Sequence, residues 1–93
     1  MPYITPERRK MFDGAIAQLS KKMDQNDATD GDLNYIITKI LLSRDAQGYT
    51  ENARMIMTLE CAKLEYYARR MRPYENLKAK ENGDVYQEDA LDE

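Results

Sequence analysis

Histidine and tryptophan are absent from this 93-residue chain, and cysteine occurs once. The missing histidine removes the commonest general base and the commonest imidazole metal ligand. A lone Cys61 excludes an internal disulfide and any cysteine-based cluster; inside a predicted helix it reads as a buried thiol in a reducing cytoplasm. The four glycines are isolated, so no glycine-rich loop can cradle a phosphate. No apolar run approaches the roughly 18 residues of a membrane span, and no signal peptide opens the chain. The acids between Asp27 and Asp32 lack the calcium-loop pattern and its terminal glutamate; Asp30 and Asp32 are better explained by helix capping. A nucleophile–base pair would need lysine or a carboxylate, so the reading is non-enzymatic, with no catalytic residue, metal or cofactor.

Charge of one sign is missing locally. From Glu81 onward there are six acids and no base, which leaves 14 bases against 17 − 6 = 11 acids in residues 1–80, a net of +3 beside an acidic tail. Residues 63–80 hold six bases (Lys63, Arg69, Arg70, Arg72, Lys78, Lys80) and two acids, Glu65 and Glu75. That makes a locally basic surface. The length suits one domain with a modest core, residues 1–86, followed by an acidic disordered tail over residues 87–93.

What remains is helical. Thr5-Pro6-Glu7 opens helix one, with threonine as cap, proline in the first turn and glutamate at the positive end of the dipole. Met11, Phe12, Ala15, Ile16, Leu19 and Met23 form its stripe, to about Met23. After a polar loop, Thr29 and Asp32 resemble a capping box. Helix two, from Asp32 to about Ala46, is apolar almost all round (Leu33, Tyr35, Ile36, Ile37, Ile40, Leu41, Leu42), which predicts a central position. Asn34 and Thr38 mark its polar side. Gly48 is expected as its left-handed C-terminal residue. Thr50 is expected to cap a long third helix running to at least Arg72. Ala53, Met57, Leu64, Tyr67 and Met71 are its stripe; Glu60 interrupts it, as a carboxylate either at the edge of burial or paired with a base or hydroxyl. Pro73 disfavours helix at Arg72 and should kink or stop the helix. Asn82-Gly83 is a turn, and Val85 and Tyr86 are the last possible anchors. The fold class is all-α: a three-helix domain whose long third helix is interrupted near Pro73, with a C-terminal extension.

The candidate site is Tyr66, Tyr67, Arg69, Arg70, Arg72 and Tyr74, joined by Arg8 and Arg9 if the helices pack side by side. Tyrosine faces stack on nucleobases, and arginine forks match phosphate oxygens. Tyr67 and Met71 fit a core stripe equally well, and arginines near a helix end favour its dipole without any ligand. Duplex nucleic acid is disfavoured by the acidic tail and the lack of helix-turn-helix spacing.

MPYITPERR, GDLNYIIT and LECAKLEYYARRMRPYENLKAKENGDVY together resemble a family of small proteins encoded by tailed phages and prophages. The likeness covers most of the chain and is weakest between Leu19 and Thr29; where the family carries an acid after Pro-Tyr-Glu, Asn76 stands here. The resemblance implies a counter-defence protein of the host bacterial cytoplasm, not membrane-bound. Its implied work is to sequester a cyclic-nucleotide alarm signal as a symmetric homo-oligomer. The partners would be other copies of itself and a small phosphate-bearing ligand, such as a cyclic dinucleotide. The alternatives are a protein–protein inhibitor of a host factor and a small phage assembly component.

Overall fold

A computed structural model describes residues 2–86; the tail over residues 87–93, expected to be disordered, lies outside the described residues. The chain divides into two compact units, Met1–Thr58 and Leu59–Glu93. The elements are α1 (Pro6–Gln25), α2 (Asp30–Ser43), α3 (Gly48–Tyr66), a π-helical turn (Tyr67–Met71) and α4 (Arg72–Asn82). There is no strand among the described residues, so the fold is all-α, with three helices of which the third runs on through the π turn to Asn82.

In the first unit each helix boundary has a local cause. The Thr5 hydroxyl accepts from the Arg8 N–H at 3.3 Å, with Pro6 in the first turn and Glu7 beside it. This satisfies one of the orphan donors at the helix start. At the other end of α1, Ala28 N–H reaches back to the Met23 carbonyl and Asp27 N–H to the Asp24 carbonyl. This is a Schellman closure, and its left-handed residue is Asp27 at φ 49°. The expected capping box is complete: Asp32 N–H donates to Thr29 Oγ1 at 3.2 Å, and Thr29 N–H to Asp32 Oδ2 at 2.9 Å. Thr38 Oγ1 bonds back to the Asn34 carbonyl at 2.8 Å, so this polar pair satisfies itself along one helix turn.

Two boundaries differ from expectation. The left-handed residue after α2 is Asp45, at φ 51°, not Gly48. Helix two ends at Ser43, three residues early, and aspartate tolerates this region better than most side chains. Gly48 is also at positive φ (73°) but opens α3. Thr50 therefore lies inside the helix and does not cap it. Glu51 Oε1 accepts from the Gln47 N–H at 3.2 Å, and Asn52 Nδ2 donates to the Gly48 carbonyl at 2.7 Å; these side chains trim the helix start instead.

The larger difference concerns burial. No described residue is buried, and the stripes are in place without a cover. On α1, Met11 is 68% and Ile16 61% exposed. On α2, expected to be central, Leu42 is 66% and Ile40 53% exposed. Among the described residues no two helices of the first unit pack side by side, and the π turn and α4 are neighbours only as successive turns of one helix. The periodicity predicted the apolar faces correctly, but it says nothing of what covers them. Cys61, expected to be buried, is exposed for the same reason.

The caps generate a stability prediction. Thr29→Ala removes the capping box and should lower unfolding stability by about 1 kcal/mol. Asp27→Gly relieves the left-handed backbone and should raise it by up to about 1 kcal/mol. Urea titration followed by circular dichroism, at matched protein concentration, checks both signs.

Candidate functional site

The second unit carries most of the candidate residues on one continuous helical path. Glu60 pairs with Lys63 at 3.1 Å, the second of the two arrangements its place in the stripe allowed. From Tyr67, seven residues after Glu60, the ladder changes. The Arg72 N–H reaches the Tyr67 carbonyl, five residues back. This is the hydrogen bond of a π turn, which takes up one extra residue. Pro73 follows at once, in the first turn of α4. Proline has no N–H to donate, and its ring crowds the carbonyl four residues earlier, here Arg69. Widening the turn just ahead of it lets the helix continue. Arg72 is accordingly helical (φ −57°, ψ −45°), contrary to the expectation that the proline would push it out of that region.

The extra residue resets which side chains share a face. Eight positions in an α-helix end about 80° away from the start, whereas seven end within about 20°. With one residue absorbed by the π turn, Tyr67 and Glu75 stand seven α-positions apart in effect, and the Tyr67 hydroxyl donates to Glu75 Oε1. Tyr67 and Arg72, five apart, behave like an i, i+4 pair. The Arg72 guanidinium lies 5.0 Å from the Tyr67 ring centroid, a cation–π contact.

The tyrosine–arginine cluster therefore divides between two faces. One is a groove of about 640 Å³ whose walls include Tyr67, Arg72, Glu75, Lys78 and Tyr86. Gly83, at φ 89°, turns the chain back, and Tyr86 N–H donates to Asp84 Oδ1 at 2.7 Å. Val85 is 92% and Tyr86 76% exposed, so neither of these last possible anchors is buried. The other face is a shallow hollow of about 330 Å³ formed by Tyr66, Arg70, Met71 and Tyr74. Arg70 has no hydrogen bond or ion pair among the described residues. Arg69 is engaged by Glu65 at 3.1 Å. Lys78 lies 5.7 Å from the Tyr74 ring centroid while bonding Glu81 at 3.1 Å.

Arg8 and Arg9 belong to the first unit and are occupied locally. The Arg8 guanidinium lies 5.6 Å from the Phe12 ring centroid, and Arg9 Nε donates to the Ile4 carbonyl at 2.8 Å. Glu75, Lys78 and Tyr86 were not among the sequence candidates. The eight-residue gap from Tyr67 to Glu75 hides the pairing in an α register, and only the π turn reveals it.

The Tyr67 phenol is pushed above its ordinary value, first by its hydrogen bond to the Glu75 carboxylate and then by desolvation, while the Arg72 charge pulls the other way. Among the described residues there is no group of three or more histidine, cysteine or acidic side chains able to hold a metal ion. No described helix is long and apolar enough to cross a membrane.

The chain belongs to the family defined by the domain of unknown function DUF6899, whose family profile matches residues 1–85. No curated protein and no solved structure matches the chain.

Two predictions follow from the register. Deleting Ala68, the residue's worth of chain that the π turn absorbs, should convert the turn to α-helix and keep Tyr67 and Glu75 on one face, now seven α-positions apart, so that the Tyr67 phenol stays raised while helix content stays the same. Glu75→Gln, with the backbone intact, should bring the Tyr67 phenol back down toward its ordinary value. Below the unfolded pKa of about 10 the phenol is protonated in both states and the bond's contribution is complete. It is lost as pH rises through the elevated folded value. Carbon NMR of ring-labelled tyrosine reads both variants; a Tyr67 titration unchanged in Glu75→Gln would show that the carboxylate is not the cause.

Proposed function

We propose that this member of the DUF6899 family is a non-catalytic, phage-encoded binding protein that self-associates and sequesters a cyclic nucleotide carrying a defence signal in the host cytoplasm. One observation carries the site assignment: Arg70, without an ionic partner among the described residues, lines the same hollow as the exposed Tyr66 and Tyr74. An unpaired guanidinium offers a phosphate two parallel hydrogen bonds, and flanking tyrosine faces give bases somewhere to stack. Arg72 and Lys78 on the adjacent groove add positive charge within the same two helical turns. A symmetric oligomer would present this constellation at least twice, which suits a ligand that is itself two-fold symmetric. Sequestration needs no general base and no nucleophile, in keeping with a chain that has no histidine.

Uncovered apolar helix faces also favour a protein-only role, as an inhibitor of a host factor or an assembly component. Thermal shift against a panel of linear and cyclic nucleotides separates these readings. Binding to the folded state alone raises its stability by about 2.7 kcal/mol at a hundredfold excess over Kd. The shift should appear with one cyclic species and survive removal of residues 87–93. Arg70→Ala should weaken that binding by roughly 10- to 100-fold, the loss of one charge-assisted contact, whereas Arg69→Ala should change it little. No shift with any nucleotide at millimolar concentration would sink the sponge reading. Binding undiminished in the combined alanine variant of Tyr66, Arg69, Arg70 and Tyr74 would sink the site assignment.

A further inference from the structure

We propose that the groove beside the π turn reads the pairing edge of a guanine base, with the Glu75 carboxylate as the acceptor and Tyr86 as the stacking face. This rests on the nucleotide reading above and names the base that the site takes.

The π turn makes the groove. It sets Glu75 against the Tyr67 hydroxyl and Arg72 over the Tyr67 ring, and the chain reversal at Gly83 brings Tyr86 into the same walls. The volume, about 640 Å³, is that of a small-molecule site. Tyr86 presents an exposed ring. An aromatic face of this kind supplies affinity for any base and little choice among them, because every base has a π-face.

Glu75 supplies the choice. The Tyr67 hydroxyl donates to its Oε1, which restrains the carboxylate, while Oε2 accepts no hydrogen bond among the described residues. An ionised carboxylate only accepts, and each oxygen takes two donors, so both oxygens keep a vacant lone pair. The matching partner is a pair of adjacent donors. Guanine alone among the common bases presents one on its pairing edge, N1–H beside the N2 amino group. Adenine, cytosine and uracil each place an acceptor next to their donor, and a carboxylate repels that acceptor.

Charge excludes simpler ligands. Arg72 and Lys78 line the same groove, and Arg72 has no hydrogen bond or ion pair among the described residues. A bare cation would meet both of these bases, and a bare anion would meet Glu75 and Asp84. A molecule that is anionic at one end and a paired donor at the other suits both sets, and a guanine nucleotide is such a molecule. Lys78 also lies 5.7 Å from the Tyr74 ring centroid, and Tyr74 lines the Arg70 hollow, so groove and hollow adjoin through this contact. The base belongs to the first and the phosphate to the basic side chains along the edge they share.

Isothermal titration calorimetry of the full chain with GMP, IMP and AMP, and with the corresponding symmetric cyclic dinucleotides, tests the assignment. IMP lacks only the N2 amino group. A bidentate base contact discriminates by roughly 10- to 100-fold, and an exposed groove belongs at the low end, so GMP should bind about tenfold tighter than AMP, with IMP between. Glu75→Gln turns one acceptor into a donor and should abolish the preference while AMP binding holds. Tyr67→Phe keeps the carboxylate and should keep the preference. Tyr86→Ala should weaken all three nucleotides alike, and Tyr86→Phe should not. Guanine and adenine ligands bound equally would overturn this inference and leave the sequestration reading standing. So would a preference that survives Glu75→Gln, or one lost as fully in Tyr67→Phe. A Glu75-dependent preference for GMP with no cyclic species bound would do the reverse. No binding by any nucleotide at millimolar concentration would overturn both.

Discussion

Pro73 cannot donate a backbone hydrogen bond and cannot tolerate the carbonyl four residues behind it, and the second unit is arranged around that constraint. The chain keeps its helix and accommodates the ring by opening one π turn, Tyr67–Met71. The consequence is rotational. Residues beyond the turn are displaced by one position relative to those before it, which brings Glu75 beneath Tyr67 and Arg72 over its ring. Without the turn the same sequence would spread these groups around the helix. A local steric problem thus fixes the composition of a surface.

The first unit obeys a different constraint. Its helices are delimited by side chains that act within a few residues, and each boundary can be traced to a named hydrogen bond. None of those bonds supplies burial. Local determinants specify the secondary structure, and the apolar stripes of α1 and α2 find no cover within the first unit. The two units divide the work: one offers apolar faces with balanced charge, the other a cluster of aromatic rings and guanidinium groups. The proposed self-association would multiply the second unit's cluster, and repeated sites gain in effective affinity for a ligand with repeated features.

Much of this was legible in the sequence where the cause is local. Thr5 and Thr29 could be read as caps because the residues that answer them, Arg8 and Asp32, lie three positions on. Glu60 was readable as a paired carboxylate, with Lys63 one turn away. Pro73 was readable as an interruption, but its form was not, since kink, stop and π turn satisfy the same missing donor. Asp27 and Asp45 escaped notice because glycine is the usual left-handed residue, and Gly48 drew the boundary toward itself. The pairing of Tyr67 with Glu75 was invisible for a geometric reason, because eight residues is the wrong spacing until the register has been shifted. The apolar stripes were legible; their destination was not, because periodicity defines a face and never its partner.

Cys61 has a practical meaning beyond redox chemistry. It is the only sulfhydryl in the chain, it is exposed, and there is no tryptophan. A fluorophore or spin label attached there would be a unique reporter, free of intrinsic indole background. It would stand about 9 Å along the helix axis from Tyr67, near enough to sense events at the π turn. The molecule thus carries its own single handle for watching, in real time and in solution, whether that turn changes its winding.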